Sequence, residues 1–384
     1  MQSFQHLQPL LKRFVEKGPV GNSLAVMHKG KTVFEEYVGY ADKELQTKME
    51  KDTIFRIYSM TKVVTCVAAL MLYERGLFLL NDPVEEYLPE FKNPTVYRGK
   101  DLGEVDVTPA SGSIKIKDLF MMTSGLTYPG DGNATERHIA KLSEEMNKDQ
   151  SEKLTTRKLS QLLATIPLAF DPGTRWHYGF SHDVLGALIE VLSGKSFGTF
   201  LEEEIFKPLG MEDTSFNLSE AKKHRIASMY TRDDDGRLIK DTNMDDVFLP
   251  SFESGGAGLL STLGDYSRFA HMLASGGEYN GNRIIGSKTI QLMATNHLSP
   301  EQMHYFNWDY LKGYGYGLGV RTMIDPAEGG INGSIGEFGW SGMAGTWVLI
   351  DPKENLSAVY MQQMLPNLEA FHQPRLRSVI YGGL

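Results

Sequence analysis

The sequence predicts an α/β protein. One antiparallel sheet is assembled from the two ends of the chain and flanked by helices, with a mostly helical lobe beside it. Three observations carry that reading. Strand-type residues flank a short glycine-containing turn in "SLAVMHKGKTVFEEYVGYAD" (23–42). The same pattern returns in "GTWVLIDPKENLSAVYMQQM" (345–364), with the turn at Asp351-Pro352 through Asn355. Between them, nearly every periodic segment repeats at helical spacing.

In chain order, "MQSFQHLQPLLKRFVEKG" reads as an amphipathic helix, without the continuous apolar core or small-residue cleavage site of a signal peptide. The first hairpin turns at Lys29-Gly30-Lys31. Helices are expected over 60–75, 115–122, 156–165, 182–193, 197–206 and 264–275. The stretch 127–155 is polar and rich in Gly, Asn, Glu and Lys, which reads as a surface excursion. "GEYNGNRIIG" (277–286) reads as a small hairpin or turn, and "PRLRSVIYGG" as a short closing helix. No repeat or low-complexity linker separates independent domains. The expectation is therefore one catalytic-sized domain over 1–384, with an α/β lobe from about 1–58 and 290–384 and a helical lobe over about 59–289.

Composition narrows the function. Hydrophobic residues are 41% and charged residues 23%, the mix of a globular protein with ample core. The net charge of −9, with no long Lys/Arg run, argues against nucleic acid or an anionic membrane as partner. No stretch of about eighteen apolar residues could span a bilayer, and a cytoplasmic location is expected. The single cysteine, Cys66, sits in an apolar run and reads as structural. His177 and His182 lack the spacing of a metal site, so no metal and no cofactor is expected.

The chemistry starts at "IYSMTKVV" (57–64). From Met60 to Arg75 the chain is apolar on nearly every side, the mark of a buried helix. Ser59 stands at its start and Lys62 one turn in, with Cβ atoms roughly 5–6 Å apart. A buried ammonium is costly, so such a lysine is paired or has a depressed pKa. A neutral amine beside a serine hydroxyl is a general base beside its nucleophile. The plainer reading makes Ser59 an N-cap and lets Lys62 snorkel to solvent. The same S-x-x-K spacing at Ser219–Lys222 lies in a charged surface segment, where capping is the sensible reading. "GKSFG" (194–198) matches a nucleophile elbow, but a helix rather than a strand precedes it. Ser196 is expected to cap the following helix.

Further along, "DPGTRWHYGFSHDVLGALIEVLSG" (171–194) sets Tyr178 between a Pro-Gly turn and a helix, and "GEFGWSGMAGTWVLIDP" (336–352) carries Trp340-Ser341-Gly342. With Ser59-x-x-Lys62, this ordered set resembles the serine β-lactamase and penicillin-binding protein superfamily, including class C β-lactamases. It is similar above all to family VIII carboxylesterases. "LNDPVEEYLPEF" (80–91), "MTSGL" (122–126), "GGAGLLSTLGDYSRFAHMLASGG" (255–277) and "GYGYGLGV" (313–320) extend the likeness over about 23–364.

The resemblance implies a serine hydrolase acting through an acyl-enzyme. Ser59 is the nucleophile, Lys62 and Tyr178 form the base system, and the backbone N–H groups of Ser59 and Met343 form the oxyanion hole. Gly342 lets the strand edge approach the substrate. Trp340 stands where penicillin-recognising enzymes carry a lysine, and Phe180 where they carry an asparagine. Two polar anchors are thus replaced by apolar surface, which favours neutral esters of short to medium acyl chains. The substrate-binding set is then Trp340, Ser341, Gly342 and Phe180. Other readings are β-lactam or D-amino-acid peptide hydrolysis, acyl transfer to an alcohol, and a ligand-binding pseudoenzyme.

Overall fold

A computed structural model of the chain describes residues 4–99, 106–148, 154–242 and 252–384. Its centre is an eight-stranded antiparallel sheet: β1 (Gly21–His28), β2 (Lys31–Asp42), β3 (Thr47–Lys48), β4 (Tyr314–Tyr316), β5 (Arg321–Met323), β6 (Phe338–Ser341), β7 (Trp347–Asp351) and β8 (Leu356–Met361). The spatial order is β4-β5-β6-β7-β8-β1-β2-β3. The two ends of the chain meet at β8 and β1, where Ser23 lies opposite Met361 and His28 opposite Leu356. Both expected hairpins form. Lys29 (φ 50°) and Gly30 (φ 77°) supply the two positive φ angles that a tight turn between twisted strands requires.

Helices cover both faces of the sheet. α1 (Leu7–Lys17) buries Leu7, Leu10, Leu11 and Phe14, one stripe at spacings of three and four. With Leu376 and Ile380 of α5 (Glu369–Gly382), that stripe packs on Leu24, Val26, Leu349 and Ala358. The alternate residues Ala25, Val348, Ile350 and Val359 face the main core, so every residue of β7 and β8 is buried. α5 starts several residues earlier than expected and runs through Pro374. On the core side lie α2 (Thr61–Glu74), α3 (Ser181–Ser193) and α4 (Leu263–Ala274). From Thr61 to Leu72 every residue of α2 is buried, as its all-round hydrophobicity requires. Further helices span Ile116–Phe120 and Thr156–Ala164, and a continuous helical run covers 197–209. "GEYNGNRIIG" pairs Glu278–Tyr279 with Asn282–Arg283.

The segment 127–155 departs from expectation. It holds a helix, Ala134–Lys148, and its first two residues turn inward: Thr127 is buried and the Tyr128 hydroxyl reaches Lys62. Polar composition dominated the sequence signal there, while one tyrosine at its edge carries an inward contact. Residues 149–153 of that stretch lie outside the described residues. Among the described residues no single helix is long and apolar enough to cross a membrane.

Candidate active site

Ser59 lies in a one-turn 3₁₀ segment, Tyr58–Met60, immediately before α2. Its predecessor Tyr58 has φ 44°, a left-handed backbone uncommon for a bulky residue and a pointer to function rather than to packing. The helix N-cap is Met60, with no side-chain capping bond, so the serine hydroxyl is not spent on capping. Lys62 is fully buried and does not snorkel. Both parts of the plainer reading therefore fail.

Lys62 Nζ donates to Ser59 Oγ at 3.1 Å, to the Tyr128 hydroxyl at 2.9 Å and to the Gly256 carbonyl at 2.7 Å. Three acceptors match the three N–H groups of an ammonium. Burial, the largest influence, pulls the lysine toward neutrality and opposes the upward pull that only ionised Tyr128 and Tyr178 could exert. Burial pushes the Tyr128 phenol up, so it meets Lys62 as a neutral hydroxyl. Lys62 is thus paired, one of the two outcomes expected for a buried lysine.

Close backbone packing builds this triangle. A Cβ at Gly256 would stand 2.6 Å from Asp183 Oδ2 and 2.9 Å from the Tyr128 oxygen, so only glycine lets that carbonyl reach Lys62. Asp183, in the first turn of α3, fixes the strip by accepting from Ser254 Oγ at 2.6 Å and from the Gly256 N–H at 3.2 Å. A Cβ at Gly179 would collide with the Leu126 carbonyl at 2.3 Å. The two tyrosine-bearing loops can therefore touch, with the Tyr128 and Tyr178 rings 5.6 Å apart.

Tyr178 presents its ring face to Lys62, 4.5 Å from Nζ to the centroid. Its oxygen accepts the Trp340 indole N–H at 3.0 Å, and the two rings stack at 27°. Trp340 is only 3% exposed; with Trp176, Trp308 and Tyr316 it forms an aromatic wall behind Tyr178. Phe180 is half-buried and packs edge-on against Tyr128 at 4.7 Å.

The end of β6 closes the site. A Cβ on Gly342 would lie 2.4 Å from the Ile57 carbonyl, and Thr346 Oγ1 donates to that carbonyl at 3.2 Å. This glycine brings the strand against the segment that carries Ser59. Met343 follows in the β6–β7 turn, and its carbonyl accepts Asn367 Nδ2 at 3.1 Å. Ser341 donates its hydroxyl to Glu369 Oε2 at 2.8 Å.

The structure thus brings Ser59, Lys62, Tyr178, Phe180 and Trp340 together, with Ser341, Gly342 and Met343 on the adjoining edge. Sequence reading missed Tyr128 and the Gly256 carbonyl. The signal for both was present: Tyr128 stands two residues after "MTSGL", and Gly256 is the second residue of "GGAG". The other serines fall outside. Ser196 caps its helix by accepting from the Thr199 N–H, after the left-handed Gly194. Ser219 stands at an N-cap position, but its hydroxyl makes no capping bond, contrary to expectation. Cys66 is buried, its thiol pushed up by burial and 3.6 Å from His182 Nε2. His182 is buried too and driven down to about 3; His177 pairs with Glu136 at 3.3 Å.

A serine, a lysine and a tyrosine gathered between an antiparallel sheet and a helical layer define a class of fold and site, and comparison with known proteins agrees. The Beta-lactamase family matches residues 7–379, and the chain belongs to that family. An uncharacterized protein of Mycobacterium tuberculosis is 35% identical over 338 residues, 86% of this chain and 82% of that protein. Esterase EstB of Burkholderia gladioli is 27% identical over 365 residues, 90% and 86% of the two chains. Among solved structures, EstCE1, a hydrolase with promiscuous acyltransferase activity, superposes with TM-score 0.81 at 23% identity over 99% of both chains, a likeness of fold.

Proposed function

We propose that this protein is a serine carboxylesterase that cleaves small carboxylic esters of short to medium acyl chain through an acyl-enzyme on Ser59. The observation that carries the reading is Lys62, buried and shared between the Ser59 hydroxyl, Tyr128 and the Gly256 carbonyl. Burying a lysine is costly, and buried titratable groups with specific partners cluster at functional sites.

In this reading the Lys62–Tyr178–Tyr128 unit first gives up one proton to solvent, which leaves Lys62 as the amine; Ser59 Oγ then attacks the ester carbonyl carbon while its proton passes to that amine. The Lys62 ammonium so formed stabilises the negative charge of the tetrahedral intermediate. The tetrahedral oxyanion lies between the N–H groups of Ser59 and Met343, each worth about 3–4 kcal/mol. Asn367 holds the following peptide through the Met343 carbonyl. Collapse breaks the C–O bond, and the leaving alkoxide takes the proton from the unit. A water then repeats the sequence in reverse and frees the acid. Trp340, bonded to the Tyr178 oxygen, orients the phenol for both transfers. Phe180 and the aromatic wall give the acyl group an apolar bed.

An alcohol in place of water would give acyl transfer by the same steps, and the name of EstCE1 supports keeping that route open. We further propose that residues 1–384 act as one catalytic domain, with an α/β lobe from about 1–58 and 290–384 and a helical lobe over about 59–289. The test is intact-mass analysis after brief exposure to p-nitrophenyl butyrate. A butyryl adduct on Ser59, absent from Ser59→Ala, is the expected result. Turnover without any adduct on Ser59 would sink the assignment.

A further inference from the structure

The hydroxyl of Ser341 has only one proton, and it is given away. Ser341 Oγ donates to Glu369 Oε2 at 2.8 Å, and Gln373 Nε2 donates to the same oxygen at 3.1 Å. Glu369 opens α5, and its backbone N–H donates to Asn367 Oδ1 at 3.0 Å. Asn367 in turn grips the Met343 carbonyl. Glu369 is therefore tied to the residues on both sides of Gly342, by its carboxylate to Ser341 and by its backbone N–H, through Asn367, to Met343. Ser341 and Glu369 are each half-buried, so solvent still reaches them. A hydroxyl committed as donor can only accept from a further partner. The edge beside the nucleophile thus offers lone pairs backed by a carboxylate.

We propose that Glu369 is a specificity-determining residue, which makes this edge take neutral or cationic substrates bearing a hydrogen-bond donor and turn away those with a carboxylate beside the scissile bond. The inference rests on the reading of Ser341 as a substrate-binding residue under the proposed function. Among the described residues Glu369 makes no ion pair. Two cations stand behind it. Arg321 is fully buried beside Tyr310 and Tyr314, and Arg377 is bonded to Glu337 at 3.1 Å. Neither guanidinium hydrogen-bonds to Glu369 among the described residues. They reduce the field without cancelling the acceptor-only chemistry in front, so discrimination of about tenfold is expected.

Boronic acids that cap a nucleophilic serine test this without requiring turnover. Calorimetry on the full chain would compare phenylboronic acid with its 3-carboxy and 3-trimethylammonio derivatives, on the wild-type protein and on Glu369→Gln. The carboxy compound should bind the wild type about tenfold more weakly than the parent, and the ammonio compound at least as tightly. In Glu369→Gln both ratios should fall to within about twofold of the parent. Ser341→Ala, which removes the committed hydroxyl and leaves the carboxylate in place, should keep only the part of the discrimination that the carboxylate's charge supplies. Ratios that are the same in wild type and Glu369→Gln would overturn the proposal, as would tighter binding of the carboxy compound to the wild type. Failure of the esterase reading shows separately, as no turnover of phenyl butyrate by a protein that still binds phenylboronic acid.

Discussion

The Gly256 carbonyl accepts a 2.7 Å hydrogen bond from Lys62 Nζ, so one of the lysine's three partners is a backbone oxygen that no side-chain substitution removes. Its approach depends on the missing Cβ of the same residue. Gly256→Ala should push Tyr128 and Asp183 outward and lower kcat by at least about 10-fold, with a smaller change in KM, as for a residue that positions reacting groups. Steady-state kinetics on p-nitrophenyl butyrate checks it; wild-type kcat in the variant would show that the strip has slack.

Ser59→Ala should abolish acyl-enzyme formation, whereas Ser196→Ala and Ser219→Ala leave it nearly intact. Ser196 is bound up in a helix cap, and Ser219 lies on a charged one-turn helix with no buried lysine. Intact-mass spectra of the three variants decide it.

Lys62→Ala and Tyr178→Phe should each lower kcat by at least about 10²-fold. Their double variant should lose much less than the product, because members of one proton-transfer unit are not additive. Tyr128→Phe removes a hydrogen-bond partner of the ammonium and keeps the ring, so it should fall between these and the wild type. Full activity in Tyr178→Phe would remove that phenol from the proton path.

Much of this was legible before any coordinates. The terminal hairpins announce themselves by alternation and turn residues, and α2 by an apolar run too long for a strand. That Ser59, Lys62 and Tyr178 lie together followed from motif order. What sequence hid is contact made by backbone. The Gly256 carbonyl has no side-chain signature, and the close packing of Gly342 on the Ile57 carbonyl was hidden because Ile57 is 285 positions earlier. Tyr128 was masked by the polar composition that follows it. Two of the three partners of Lys62 were hidden too, because spacing along a helix reveals one partner and the other two come from distant segments.

Acyl-chain preference follows from the apolar bed. kcat/KM should rise from acetate to about butyrate or hexanoate, at about 0.8 kcal/mol per buried methylene, and fall for longer chains. Nitrocefin, which carries a carboxylate, should be turned over weakly or not at all. Nitrocefin as the better substrate on the same preparation would replace the esterase reading with a β-lactamase one.

Acid should weaken the fold through its buried histidines. Burial lowers His182 from 6.5 to about 3 and His372 to about 4. Between pH 6.5 and those values the unfolded chain binds protons that the folded chain refuses. Stability from these groups is therefore complete above 6.5 and declines as pH falls, by on the order of 1 kcal/mol per pH unit for each. Denaturant midpoints from pH 7.5 to 4.5 should drop, and His372→Gln should flatten the curve. A slope unchanged by that substitution would assign the effect elsewhere.

The strand order has a consequence for biosynthesis. β1 emerges from the ribosome long before β8, its partner at the middle of the sheet, in which Met361 pairs with Ser23. Ser59 and α2 are likewise made early, while the Trp340–Met343 edge that completes their surroundings arrives with the last part of the chain. Pairing so remote in sequence delays closure of the sheet, so a nascent or truncated chain carries Ser59 without its finished surroundings. On the proposed function, reactivity is withheld until synthesis is nearly over.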